Sequence, residues 1–268
     1  MERKAMARFC SLFSSSAGNA TFFGNGDRGI LIDAGVSAKK IKEALLSREI
    51  DPYKIDGIFV THEHNDHIKG IRIIASKYNI PVYATAGTMS ALEENGTLNG
   101  KFPFEIMPQE GVTAGDLLVT CFRTPHDSRE SCGYKITFPH GQRAVVATDI
   151  GIITPEVEAA LMGSELVMLE SNHDIAMLQS GDYPYHLKRR ILSDKGHLSN
   201  AACAEEAVKL VKKGTSRLFL GHLSIENNFP ELAYQTTYSV LESEGAKEGI
   251  DYILKVNARE NTDGIIRF

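Results

Sequence analysis

Three histidines and an aspartate lie within six residues of one another, in the run His62-x-His64-x-Asp66-His67. The run directly follows Ile55–Thr61, an apolar stretch that is typical of a buried β-strand. Alternate side chains of an extended backbone point to the same side, so His62 and His64 can face one point in space. Asp66 and His67 stand where the chain turns into a predicted helix over Asp66–Tyr78, and they can face a second point nearby.

Imidazole and carboxylate groups in this pattern indicate divalent metal ions. Both are ligands for zinc, and manganese becomes favourable as oxygen ligands increase. The spacing predicts that His62 and His64 bind one ion and that Asp66 and His67 bind another. A polar loop with coincidental histidines is the alternative, but all six positions of the run match a specific ligand pattern.

Ligand-type residues also follow three predicted strands later in the chain. His126 comes just after Leu117–Arg123, Asp149 ends an apolar run, and His222 ends another. Ends of separate strands form a sheet edge where a site can be built, and the two carboxylate oxygens of Asp149 can bridge two ions. The sequence therefore predicts a binuclear centre with seven ligands: His62, His64, Asp66, His67, His126, Asp149 and His222.

The order of these seven residues resembles the metallo-β-lactamase superfamily, and the resemblance extends over essentially the whole chain. It implies an α/β fold, a four-layer αββα sandwich of two mixed β-sheets with helices outside, as a single domain over residues 1–268. The predicted strands agree, because they come in two groups that are each accompanied by helices. In that superfamily an aspartate after an early strand supports the metal loop, and the resemblance implies this role for Asp33.

Two positions narrow the choice within the superfamily. True β-lactamases place a cysteine or serine, or no ligand, where this chain has Asp149. The oxygen-reducing diiron relatives carry glutamate at the position of His64. The resemblance therefore favours a hydrolase whose substrate is not a β-lactam, and it argues against redox chemistry.

Segments near both ends resemble the WalJ/YycJ-like branch of the superfamily. They are Ser14–Asn19, which departs from the usual Ser-Gly-Ser-Ser-Gly-Asn at Ser15 and Ala17, and Gly221–Ala233. Members of that branch are regarded as DNA exonucleases. The resemblance implies a binuclear metal-dependent phosphodiesterase that acts on duplex DNA ends through a metal-bridging hydroxide, with two Zn²⁺ or Mn²⁺ ions per chain.

Further catalytic residues are implied by motifs of nucleic-acid-cleaving superfamily members, which Glu170 and the segment Lys195–Ser199 resemble. There, a histidine at a helix start reaches the scissile phosphate and a glutamate hydrogen-bonds it. His197 would then protonate the leaving oxygen or stabilise the pentavalent state, and Glu170 would hold its ring and tautomer. The ligand Asp66 would orient the nucleophile. Substrate or phosphate contacts are predicted for Ser199, Asn19, His173 and Lys195.

Charge and composition set the expected partners. The net charge of −5 gives no global support for nucleic-acid binding, but Lys188, Arg189, Arg190 and Lys195 bunch locally and would contact the DNA backbone without reading bases. No stretch approaches about eighteen consecutive apolar residues, so no membrane partner is expected. Four scattered cysteines fit reduced thiols in a cytoplasmic protein. Oligomeric state is not predicted.

Two other functions remain open at this stage. A small-molecule hydrolase acting on a thioester or a lactone uses the same ligand set. A metal-stabilised accessory protein without catalysis is the third possibility, and the complete ligand set together with His197 counts against it, since structural sites need no open position.

Overall fold

The first half of the chain forms one β-sheet with its helices in the computed structural model, which describes residues 6–268. A late strand, β14, joins the edge of this sheet, and the strand order is β14-β1-β2-β3-β4-β5-β6. The strands are β1 (Ala7–Phe13), β2 (Ala20–Asn25), β3 (Arg28–Ile32), β4 (Ile55–Phe59), β5 (Val82–Ala84), β6 (Phe104–Ile106) and β14 (Ile266–Arg267), and the helices are α1 (Ala38–Leu46), α2 (Asn65–Ile68), α3 (Ile71–Tyr78) and α4 (Ala86–Glu94).

The second half forms a second sheet of seven strands, ordered β13-β12-β11-β10-β9-β8-β7. Its strands are β7 (Val112–Ala114), β8 (Leu117–Arg123), β9 (Cys132–Thr137), β10 (Arg143–Ala147), β11 (Leu166–Glu170), β12 (Arg217–Gly221) and β13 (Ile253–Val256). Its helices are α5 (Pro155–Leu161), α6 (Ile175–Ser180), α7 (Tyr185–Ile191), α8 (Asn200–Lys212) and α9 (Pro230–Ser243).

Three apolar clusters separate four layers. The first lies between helices α1, α3 and α4 and the first sheet, and it includes Ile41 and Ile71. The second lies between the two sheets, where the rings of Phe9 and Phe219 pack with their centroids 4.6 Å apart. The third lies between the second sheet and helices α5, α8 and α9, and Leu210 belongs to it. The predicted αββα sandwich is therefore confirmed.

Strand direction brings the ends of several strands to one edge. In the second sheet β10, β11 and β12 are parallel, and β8 runs the same way because both β8 and β10 are antiparallel to β9. In the first sheet β3 and β4 are parallel. The short buried strands β10 and β11 read as continuous apolar runs because helices cover the outer face of the sheet and the first sheet covers the inner face.

The predicted helix over Asp66–Tyr78 is wrong as a single element, because the structure has α2 and α3 there instead. The carbonyl of His67 accepts from Ala34 N at 2.9 Å, and Gly70 N donates to Ala34 O at 2.7 Å. These bonds to the β3–α1 loop replace helical ones, and the chain bends. Periodicity also does not predict β6, β7 and β14, which have only two or three residues, or α6, which has fewer than two helical turns; β6 is also exposed along its length.

No helix within residues 6–268 has the length and apolar character needed to span a membrane. The single-domain prediction over residues 1–268 stays a prediction, and its first five residues lie outside the described part of the chain.

Candidate metal centre

The seven predicted ligands converge at the edge of the sandwich. His62, His64 and His126 form one triad, and Asp66, His67 and His222 form a second. Within each triad the possible ligand atoms lie within 4.8 Å of one another. Loops after β4, β8 and β12 and the first turn of α2 supply these side chains.

Asp149 lies between the two triads. Its Oδ2 is 3.3 Å from His67 Nε2, and its Oδ1 is 3.8 Å from His126 Nε2. The residue is 2% exposed. Its Oδ1 is also 3.5 Å from His222 Nδ1, so the carboxylate borders residues of both triads.

Contacts at the Nδ1 atom fix the ring orientation of four histidines. Nδ1 of His67 donates to Asp33 Oδ2 at 2.8 Å, and Nδ1 of His222 donates to Glu170 Oε1 at 2.7 Å. Nδ1 of His126 donates to the Gly196 carbonyl at 3.2 Å, and Nδ1 of His62 contacts Thr61 Oγ1 at 3.0 Å. A ring nitrogen held in this way assigns the tautomer and leaves Nε2 free to bind a metal.

The backbone turns sharply at three site residues. Asp33, Asp149 and His222 have φ of 62°, 58° and 56°, in the left-handed region that non-glycine residues rarely adopt. Such a conformation costs on the order of 1 kcal/mol or more per residue. Each follows the end of β3, β10 or β12, so the turn directs the side chain into the crevice between the sheets.

The loop after β3 supports the backbone that carries the histidine cluster. Asp33 accepts from Thr61 N at 2.8 Å and from Thr61 Oγ1 at 2.9 Å. Gly35 packs against the same loop so closely that a Cβ added to it would lie 1.6 Å from the Asp66 carbonyl oxygen. The sequence Asp33-Ala34-Gly35 therefore combines a buried acceptor with a close backbone approach.

Glu170, the last residue of β11, connects the two parts of the site. Its Oε1 accepts from His197 Nδ1 at 2.9 Å and from His222 Nδ1 at 2.7 Å. Its Oε2 accepts from Ile150 N at 2.8 Å and Leu198 N at 3.0 Å. Because both oxygens are already engaged, the geometry indicates a positioning role for Glu170. Its bond to His222 is one that the sequence did not indicate.

The carboxylates create a field that favours positive charge. Burial disfavours the charged form of His222, yet Asp149, Asp66 and Glu170 together raise its pKa to about 10. Burial opposes the cation at His67 as well, but Asp149 and Asp33 hold the pKa of that imidazole well above its usual range. A divalent cation satisfies the same field and competes with these protons.

Orphaned polar atoms show that the residues fit metal ions. Among residues 6–268, His62 Nε2, Asp149 Oδ2 and His222 Nε2 are buried and have no hydrogen-bond partner. Leaving buried polar atoms unpaired costs on the order of 1–3 kcal/mol each. All three point into the predicted centre, where a divalent ion would satisfy them.

The four residues that are predicted to contact the substrate differ in burial and in hydrogen-bond partners. Asn19 is 5% exposed, and its Nδ2 lies 3.1 Å from His67 Nε2, against the ligand set. The hydroxyl of Ser199 accepts from Ala202 N at the start of α8. His173 is 1% exposed, and neither of its ring nitrogens has a partner within the described chain. Lys195 is exposed. Contact of these residues with substrate stays a prediction.

Sequence reasoning missed a buried polar network behind the site. Ser14 Oγ accepts from His222 N at 2.9 Å, and Asn172 Nδ2 donates to the His222 carbonyl at 2.9 Å. Asn228 Nδ2 donates to the carbonyls of Ser171 and Asn172. Ser14 and Asn228 belong to the two terminal segments noted above, so those segments form a scaffold for the His222 loop.

The fold and the ligand set define a metal-dependent hydrolase of the αββα type. The chain belongs to the metallo-β-lactamase superfamily, since residues 28–223 match the family described as "Beta-lactamase superfamily domain". This agrees with the predicted superfamily.

Two curated relatives resemble nearly the whole chain. Exodeoxyribonuclease YycJ of Bacillus anthracis is 37% identical over 240 residues, which cover 88% of this chain and 90% of the relative. Exodeoxyribonuclease WalJ of Streptococcus pneumoniae is 34% identical over 250 residues, which cover 91% and 92%. The predicted WalJ/YycJ-like branch is confirmed.

Solved structures share the fold at low identity. The metallo-β-lactamase fold protein YhfI of Bacillus subtilis superposes with a TM-score of 0.74 at 16% identity, covering 98% of this chain and 100% of that protein. Zn²⁺-bound PqqB of Methylobacterium extorquens gives 0.70 at 15% identity, covering 97% and 99%. At such identities the likeness establishes the fold alone.

Proposed function

We propose that this hydrolase is a DNA exonuclease that cleaves phosphodiester bonds at duplex ends. The relatives named exodeoxyribonuclease support the substrate class. The observation that carries the proposal is the shared oxygen of Glu170, which ties His197 to the ligand His222. A histidine held beside a metal-ligand set is placed to act on the leaving group of a phosphodiester.

We infer that the centre holds two divalent ions, Zn²⁺ or Mn²⁺. The two triads would each hold one ion, and Asp149 would bridge them. When bound, the ions would lower the pKa of a coordinated water and neutralise charge on the phosphoryl oxygens.

His197 is the proposed proton donor to the leaving oxygen. Its Nδ1 is engaged by Glu170, so Nε2 is the atom that can face the phosphodiester. The side chain is 14% exposed, which keeps it reachable from the crevice. Glu170 fixes the orientation and the tautomer of the ring through this hydrogen bond.

Asp66 is the proposed residue that orients the attacking water. Its Oδ2 lies 3.3 Å from His67 Nε2 and 3.6 Å from His222 Nε2, and a quarter of the side chain is exposed. Asn19 Nδ2 stands 3.4 Å from the same oxygen and holds it in place. One carboxylate can thus bind the centre and still accept a hydrogen bond from water.

The first experiment compares end-labelled linear DNA with covalently closed circular DNA, in the presence of Zn²⁺ or Mn²⁺. We expect degradation from ends only. Cleavage of circles would contradict exonuclease action. Turnover of a thioester or a lactone without DNA cleavage would instead favour the small-molecule alternative.

A variant tests the role of His197. His197→Ala should cut DNA cleavage by about 10²-fold or more and leave the metal content intact. His140→Ala is the matched control, because His140 is an exposed histidine of the β9–β10 turn. Loss of metal in His197→Ala, measured by elemental analysis, would show that His197 is a ligand instead.

We also propose a cytoplasmic location. The four cysteines are unpaired in the described structure, as expected where thiols stay reduced. Detection in a cytosolic fraction of cells that express the protein would test this.

A further inference from the structure

One basic side chain of α7 is fixed beside the metal centre. Nε and Nη2 of Arg190 both donate to the carboxylate of Asp127, and the Nη2–Oδ1 distance is 2.9 Å. Asp127 directly follows the ligand His126, and its Oδ1 lies 3.4 Å from His126 Nε2. The guanidinium is therefore separated from a ligand imidazole by a single carboxylate.

The other three basic residues of this region have different settings. Lys188 Nζ donates to the carbonyls of Gln179 and Gly181, which ties it to the α6–α7 connection. The Arg189 guanidinium lies 5.9 Å from the ring centroid of Tyr185. Lys195 is exposed in the loop after α7. Among these four basic residues, Arg190 alone is oriented by a carboxylate beside the predicted ligands, that of Asp127.

The backbone at the end of α7 is locked to the site. His197 N donates to the Ile191 carbonyl at 3.0 Å, and His126 Nδ1 donates to the Gly196 carbonyl at 3.2 Å. A Cβ on Gly196 would lie 2.1 Å from the Ile191 oxygen and 2.3 Å from the Arg190 oxygen. Arg190, His126 and His197 thus share one rigid frame, so the guanidinium keeps a constant position relative to the reacting groups.

The guanidinium retains the capacity to bind an anion. Arginine has five N–H donors in a planar fork, and Asp127 engages two of them. The Arg190 side chain is 45% exposed, so the remaining donors face solvent at the rim of the crevice. Planar guanidinium donors match the oxygens of a phosphate group.

Charge at the site also favours this use. A phosphodiester carries one negative charge, and the positive guanidinium of Arg190 complements it. The hydrogen bond to Asp127 raises the pKa of Arg190, and burial opposes this effect. The charges of Asp149 and Asp66 raise the pKa further, so the guanidinium lies within their electrostatic field.

We propose that Arg190, oriented by Asp127, binds the phosphate next to the scissile phosphate of the DNA. Asp127 is then a positioning residue that acts through Arg190. The inference rests on the proposed function, because it assigns a second phosphate of the same substrate. The flanking phosphate is favoured because Asp127 keeps the guanidinium outside the ligand triads, where the scissile group would bind.

The test measures binding rather than cleavage, by isothermal titration calorimetry of the metal-loaded protein. The probes are thymidine 5′-monophosphate, with one phosphate, and thymidine 3′,5′-bisphosphate, with two. Arg190→Gln should weaken the bisphosphate roughly ten- to hundred-fold, as expected for a lost charge-assisted hydrogen bond, and should change the monophosphate by less than about three-fold. Arg189→Gln, which removes the same charge one residue away, should change neither.

Asp127 is tested by a double-mutant cycle. Asp127→Asn should weaken the bisphosphate when Arg190 is present and should add nothing in the Arg190→Gln background. Unchanged metal content in each variant shows that His126 still binds. An additive loss in the double variant would refute the positioning role.

Two results would overturn the inference about Arg190. They are equal losses for Arg190→Gln and Arg189→Gln, and an unchanged bisphosphate affinity in Arg190→Gln. If the wild-type protein cleaves DNA and either result is found, this inference fails and the exonuclease proposal stands. If Arg190 discriminates the two probes but DNA is not cleaved, the exonuclease proposal fails and the second phosphate site stands.

Discussion

Acid should destabilise this protein partly through His173, a buried residue that pairs with Ser199 in an isolated β-bridge. The residue is 1% exposed, and Asn200 N donates to its backbone carbonyl at 2.9 Å. Burial lowers the pKa of the imidazole from 6.5 to about 4. The folded protein therefore holds His173 neutral at a pH where the unfolded chain binds a proton.

The sign and size of the effect follow from proton linkage. Between pH 6.5 and 4 the unfolded state binds more protons at this residue, so the free energy of unfolding falls as the pH falls through that window. Well above pH 6.5 the imidazole is neutral in both states and contributes no slope. From about pH 7.5 to about pH 5 the loss is about 2 kcal/mol.

Urea unfolding of metal-stripped protein at these two pH values measures this loss. The wild-type protein should lose about 2 kcal/mol more than His173→Gln does, because titration of all other groups is common to both. His140→Gln, at an exposed histidine, should lose as much as the wild type. Equal losses in the wild type and His173→Gln would refute the argument that burial holds this imidazole neutral.

Three further substitutions test the centre. Asp149→Ala should lose at least one metal ion per chain by elemental analysis, and an unchanged metal content would contradict the bridging role. Gly35→Ala should lower the free energy of unfolding by about 1–3 kcal/mol in urea, because its Cβ would lie 1.6 Å from the Asp66 oxygen. Gly264→Ala, which meets no atom within 4 Å, should change it little, and equal effects would count against the steric argument. Glu170→Gln should reduce DNA cleavage about 10- to 100-fold, because one amide oxygen cannot accept all four hydrogen bonds; wild-type rates would exclude the positioning role.

Local pattern predicts the ligand set because each ligand stands next to a strand. Asp149 and His222 follow buried apolar strands, and His126 follows a partly exposed strand; both kinds of strand are visible in a single sequence. The convergence of the three then follows from strand direction. The same local reasoning does not predict β6 and β14, which are too short to carry a period.

The limits of local sequence patterns also explain why the helix predicted over residues 66–78 is too long. Residues 66–78 have helical composition, but the bonds that end α2 come from Ala34, more than thirty residues earlier. Periodicity contains no information about a partner at that distance. The bend nevertheless matters, because it turns Asp66 and His67 toward the other ligands.

The amino-acid sequence by itself determined the seven candidate ligands, their order along the chain and the two groups of strands with accompanying helices. These follow from residue type and from apolar periodicity, which are local properties. Only the tertiary structure decided that Glu170 holds two histidines with one oxygen, and that Ser14 supports His222 across 208 positions of the chain. It also decided which of four neighbouring basic residues is held beside the centre, because its orientation depends on a carboxylate that follows another strand. Contacts of this kind arise only when the two sheets pack, so no local pattern encodes them.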